Sequence, residues 1–155
     1  MIKIGQEAPN FSLVDTEKKA KQLTDYRGKN VVLLFFPFAF TGVCTAELCA
    51  TRDDIASYDS SNAEVLAISV DSPFTLAKFK EDQKLNFILL SDFNKTASKD
   101  YDVLYETFAV GLLGVSKRSA FVVDKDGIVK YAEVLESAGD LPNFEAIKNC
   151  LKELN

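Results

Sequence analysis

At 155 residues and 47% hydrophobic composition, the chain is long enough to bury one sizeable core and too ordinary for disorder, collagen-like repeats or a coiled coil. Its net charge of -5 disfavours nucleic acid as a partner, and no stretch approaches the ~20 apolar residues of a membrane-spanning helix. Histidine is absent, which removes Ser-His-Asp and Cys-His catalysis and most zinc, iron and copper sites.

The opening Met1-Ile2-Lys3-Ile4-Gly5 does not resemble a signal peptide, and three cysteines are too few, and odd in number, for a secreted disulfide scaffold. A cytoplasmic protein with reduced thiols is expected. Neither a linker nor an internal repeat is visible, so residues 1–155 read as one domain.

In chain order, Ala8–Val14 and Lys21–Thr24 read as a short N-terminal hairpin. Val31–Phe36 is a six-residue apolar block of strand length, followed by a helical segment at Thr45–Ser57. Strand Val65–Val70, helix Pro73–Gln83, strand Phe87–Leu90 and helix Lys95–Tyr101 continue the alternation. Such alternation implies βαβ units and a buried, largely parallel sheet. Lys125-Asp126-Gly127 supplies turn chemistry joining Ala120–Val123 to Ile128–Val134 as an antiparallel hairpin. Asn143–Leu154 closes the chain, with Phe144, Ile147, Leu151 and Leu154 on one helical face. The expected architecture is α/β and thioredoxin-like: a central mixed sheet flanked by helices, with an N-terminal hairpin extension. A flavodoxin-like sheet is the alternative, but it does not predict the late hairpin.

Chemistry concentrates at Pro37–Cys49. Cys44 lies just past the apolar block, at a helix start whose unpaired N–H groups and dipole favour a thiolate. Thr41 is placed to cap that helix, Gly42 lets backbone approach closely, and Pro37 restricts the loop and removes an N–H from it. The N–H groups near Val43 and Cys44 can point at an anion or a polarised oxygen, and the Thr41 hydroxyl can donate and accept. A breaking O–O bond needs that combination: donors at the developing charge and a nucleophile in line.

The run Pro37-x-x-x-Thr41-x-x-Cys44 resembles the active-site signature of the peroxiredoxins, peroxidases that work through cysteine. The similarity covers most of the chain: Ala8-Pro9-x-Phe11, Leu23-x-x-Tyr26-x-Gly28-Lys29, the Val65–Asp71 strand ending in Ser72-Pro73, and Lys117–Asp124. The resemblance implies that Cys44 is the peroxidatic cysteine, that Thr41 hydrogen-bonds the peroxide, that Pro37 shields the sulfur, and that Arg118 holds the thiolate. From the residues alone, Arg118 is equally an ordinary strand residue.

Cys44 is followed by Thr45, and the chain ends soon after its last helix, unlike the branch with a Cys-Pro site and a C-terminal resolving cysteine. Cys44-x-x-x-x-Cys49 resembles the bacterioferritin-comigratory (Q-type) branch, which implies Cys49 as resolving cysteine. Ala39–Cys44 is also similar to the one-cysteine alkyl hydroperoxide reductase E-type. The resemblance implies hydrogen peroxide or an organic hydroperoxide as substrate, a thioredoxin-like dithiol as reductant, no cofactor, and a monomer or homodimer.

Geometry adds one constraint. Residues five apart on a helix are rotated by about 140°, with Cα atoms roughly 8–9 Å apart. A disulfide requires about 7 Å or less. Cys44 and Cys49 therefore bridge only if the first helical turns unwind. Elsewhere, Glu47 reads as complementing the helix N-terminus in preference to orienting an arginine, and Cys150 as packing. A thioredoxin-like disulfide oxidoreductase would want Cys-x-x-Cys, which is missing. A non-enzymatic binding module of the same fold would leave Cys44 an ordinary thiol.

Overall fold

The computed structural model describes residues 1–155. Seven strands make one sheet: β1 Ser12–Asp15, β2 Ala20–Gln22, β3 Asn30–Phe35, β4 Ala63–Ser69, β5 Ile88–Ser91, β6 Ser119–Val123 and β7 Val129–Val134. Their spatial order is β2-β1-β5-β4-β3-β6-β7. Five helices accompany them: α1 Gly42–Asp53, α2 Ile55–Ser60, α3 Pro73–Gln83, α4 Thr96–Asp100 and α5 Phe144–Leu154.

Every residue of β3 is buried, because both faces of the sheet are covered. Val32 and Leu34 point into the core that Leu48, Phe79, Ile147 and Leu151 complete from the helices. Val31, Leu33 and Phe35 point the other way, into a second core with Phe11, Tyr101, Phe121 and Val129. Strand periodicity thus splits one apolar run between two cores.

Only the centre of the sheet is parallel. β3 pairs with β4 and β4 with β5 in parallel, whereas β1, β6 and β7 join antiparallel. The expectation of a largely parallel sheet is corrected by this arrangement. The N-terminal hairpin is no separate flap: β1 adds to β5 through Val14↔Ser91, extending the sheet. The late hairpin is as expected. Asp124 Oδ1 accepts the N–H groups of Asp126 and Ile128 at 2.9 Å each, and Gly127 takes the positive φ of 88° that the turn requires.

Helix α3 matches its expected bounds because its signals are local. Ser72 Oγ accepts the Thr75 N–H at 3.1 Å, Pro73 opens the helix, and Lys84 closes it in the left-handed region at φ 53°. The expected helix at Thr45–Ser57 instead starts at Gly42 and breaks at Asp54, whose backbone is at φ -112°, ψ 17°. The Asp54 carboxylate accepts Ser57 Oγ at 2.7 Å and pairs with Lys148 of α5 at 2.7 Å. This local side-chain bonding competes with helix continuation. No helix is long and apolar enough to cross a membrane.

Candidate active site

The loop leaving β3 leads into α1, and Cys44 is the third residue of that helix, only 1% exposed. Arg118 immediately precedes β6. The register Phe35↔Ser119 sets that position beside the loop. The guanidinium is 1% exposed, with Nη1 and Nη2 each 3.3 Å from Cys44 Sγ. Nη1 also donates to Glu47 Oε1 at 2.6 Å and Nη2 to the Ala138 carbonyl at 2.9 Å. Two cationic donors converge on one sulfur, and the planar fork suits this double contact where a lysine would not.

Glu47 lies one turn after Cys44, so both side chains share a face of α1 and meet Arg118 together. The structure corrects the helix-terminus reading of Glu47: it is fully buried and orients the arginine. Glu47 Oε2 and Arg118 Nε have no protein partner. Burial pushes the Glu47 carboxyl up to about 7, against the pull of Arg118. Burial alone would lower Arg118, but Glu47 and Cys44 more than offset it and raise the guanidinium further.

Thr41 occupies the N-cap position, with an extended backbone, but its side chain caps no helical N–H. Its hydroxyl instead donates to the Phe38 carbonyl at 2.8 Å. The cap role expected from sequence is therefore corrected, and the oxygen presents its lone pairs to the site. Pro37, Thr41, Cys44 and Arg118 line one pocket of about 160 Å³, with Phe108 and Ala138 among the other walls.

Phe36 is core, whereas Phe38 packs on Phe108 with ring centroids 5.8 Å apart. Phe40 is 51% exposed, stands edge-on to Phe79 at 5.1 Å, and holds a left-handed φ of 65°. No local pattern in the sequence marks Phe108 or Ala138; both come from irregular segments brought in by the sheet. Glu47 did carry a signal, its three-residue spacing from Cys44.

Cys49 stands apart from the pocket. It is half-buried on the same continuous α1, with Sγ 3.5 Å from Gln83 Oε1 at the end of α3. Cys150 packs half-buried against the core, 3.7 Å from the Lys130 carbonyl, and burial pushes its thiol up. All three cysteines are free.

The chain is 39% identical over 137 residues to alkyl hydroperoxide reductase E of Mycobacterium tuberculosis, covering 86% of each protein. It is 36% identical over 159 residues to the mouse mitochondrial thioredoxin-dependent peroxide reductase, covering 96% of this chain and 58% of that one. The crystal structure of peroxidoxin BcpB from Mycobacterium tuberculosis superimposes with a TM-score of 0.88 at 29% identity, over 100% of this chain and 99% of the other. The model of the AhpC/TSA family matches residues 4–132. With that match spanning both Cys44 and Arg118, the chain belongs to the AhpC/TSA family and is a peroxiredoxin.

Proposed function

We propose that this peroxiredoxin reduces hydrogen peroxide and alkyl hydroperoxides through Cys44. The carrying observation is the double contact of Arg118 with a buried sulfur, 3.3 Å from each terminal nitrogen, on the wall of a small pocket. The Cys44 thiolate attacks the terminal peroxide oxygen, the O–O bond breaks, and the departing oxygen leaves as water or alcohol after taking a proton from solvent. Sulfur becomes a sulfenic acid. Arg118 stabilises the thiolate and the charge on the separating oxygens, Thr41 hydrogen-bonds the peroxide, and Pro37 shields the sulfur. These roles are supported by shared lining of one pocket.

Cys49 then condenses with the sulfenic acid to a disulfide, and a thioredoxin-like dithiol restores both thiols. The thioredoxin-dependent peroxide reductase among the relatives supports that reductant. Because α1 runs unbroken from Gly42 to Asp53, its first turns unwind before the bridge closes. The chain works as one domain in the cytoplasm, as a homodimer. Exposed Phe40, Leu112 and Leu113 support the dimer, covering one another across subunits.

Stopped-flow oxidation of wild type, Cys44→Ser and Cys49→Ser, with mass spectrometry of the products, tests the cycle. Cys44→Ser abolishes the reaction with peroxide. Cys49→Ser keeps the first turnover and accumulates sulfenic acid in place of the disulfide. Equal peroxide reactivity in wild type and Cys44→Ser overturns the mechanism.

A further inference from the structure

The loop between β3 and α1 turns on a single peptide group, the one joining Phe38 to Ala39. Its carbonyl accepts the Thr41 hydroxyl at 2.8 Å, and its N–H donates to Asp71 Oδ2, also at 2.8 Å. Asp71 lies just past β4 and is itself held. Ser69 Oγ donates to the same Oδ2 at 2.7 Å, and the Asp71 N–H donates back to Ser69 Oγ at 3.2 Å. From β5, Ser91 Oγ donates to the Asp71 carbonyl at 2.6 Å. Asp71 thus ties together the ends of all three parallel strands. The next residue of the loop, Phe40, holds the left-handed backbone that non-glycine residues rarely adopt.

A threonine hydroxyl has one proton. With that proton committed to the Phe38 carbonyl, Thr41 can only accept a hydrogen bond from a bound hydroperoxide. An anion at the N–H end of a peptide strengthens the acceptor at its carbonyl end, because bonds in a chain polarise one another. The Asp71 carboxylate therefore favours the orientation in which Thr41 donates inward and accepts from the pocket.

We propose that Asp71 is a positioning residue for peroxide reduction, acting through the Phe38–Ala39 peptide to fix Thr41 as the hydrogen-bond acceptor for the attacked peroxide oxygen. The assignment rests on the reading of Cys44 as peroxidatic. In the step concerned, sulfur forms a bond to the hydroxyl oxygen of the hydroperoxide while the O–O bond breaks. Sulfur loses two electrons, the peroxide gains them, and the departing alkoxide takes a proton from solvent. Thr41 accepts from the O–H of the transferred oxygen throughout, holding it in line with Cys44.

The test uses Asp71→Ala, Asp71→Asn, Thr41→Val and the double variant Asp71→Ala/Thr41→Val. Two rates are measured for each: oxidation of Cys44 by peroxide, and its alkylation by iodoacetamide, which needs the thiolate but no contact with Thr41. Asp71→Ala is expected to slow oxidation about tenfold and leave alkylation within about twofold of wild type. Asp71→Asn, which offers Ala39 an amide oxygen but no negative charge, falls between Asp71→Ala and wild type. Adding Asp71→Ala to Thr41→Val slows oxidation no further. A wild-type oxidation rate in Asp71→Ala, parallel losses in both reactions, or additive losses in the double variant overturns the proposal. Peroxide reduction that survives Cys44→Ser would overturn the peroxidatic assignment instead.

Discussion

Replacing Glu47 with glutamine should change how stability depends on pH, and the structure sets both sign and size. Glu47 is 0% exposed, meets Arg118 at 2.6 Å through one oxygen, and leaves the other without a protein partner. Burial raises its carboxyl from the ordinary 4.5 to about 7, with Arg118 pulling the other way. Between those values the folded chain keeps a proton that the unfolded chain has released, so stability falls as pH rises through the window. The stabilisation is complete below the lower value and lost above the upper one. At 1.36 kcal/mol for each pH unit, the loss is on the order of 3 kcal/mol.

Glutamine removes this titration yet still offers Arg118 an oxygen. Urea unfolding of Glu47 and Glu47→Gln chains, both carrying Cys44→Ser so that the thiol cannot titrate, reads the difference at about pH 4.5 and about pH 8. The glutamate chain should lose about 3 kcal/mol relative to the glutamine chain between them. A relative stability constant within ~0.5 kcal/mol refutes the reasoning. A change of opposite sign does so as well, since the ionised Glu47–Arg118 pair would then be what the fold prefers.

Arg118→Ala should slow Cys44 oxidation by roughly 10²- to 10⁴-fold, as expected for the loss of two charge-assisted hydrogen bonds, and Arg118→Lys should fall between Ala and wild type. Stopped-flow peroxide oxidation measures both, and a lysine variant matching wild type would mean that the double contact is immaterial. For the proposed dimer, Leu113 is 75% exposed, so Leu113→Glu should shift the sedimenting mass from dimer to monomer without touching the pocket. A wild-type chain that sediments as a monomer removes the apolar cover as an interface.

What the sequence disclosed depended on how local each cause was. The all-buried β3 announced itself as an apolar run, and Ser72-Pro73 marked the start of α3 with a cap and a first-turn proline. Cys44, Thr41 and Pro37 lie on one short segment, so their spacing was legible before any fold was known. Arg118 was different: only family resemblance pointed to it, because its contact with Cys44 spans 74 residues and depends on strand pairing. Thr41 holds the N-cap position that the sequence predicts, but its hydroxyl donates to the Phe38 carbonyl and its oxygen accepts no helix N–H, an orientation that sequence spacing does not specify. The break at Asp54 has only a weak local signal, the Asp54–Ser57 bond, and its other partner, Lys148, is 94 residues away. Asp71 was visible as the end of a strand, yet nothing in the chain order indicates that it would face Ala39.

The pairing of β3 with β6 also bears on how the protein comes to be active during folding. β3 can find β4 across a short crossover, but its pairing with β6 must close a loop of more than half the chain, from Phe35 to Ser119. Contacts so distant in sequence form slowly, because loop entropy is lost before they return any free energy. A slip of one residue in that register would turn Arg118 to the opposite face of the sheet. Until β6 docks in register, the chain can hold a folded α1 and a thiol at its start without the guanidinium that faces it. The contact between Arg118 and Cys44 therefore waits on the pairing of β6 with β3, whenever in folding the helix that carries Cys44 forms.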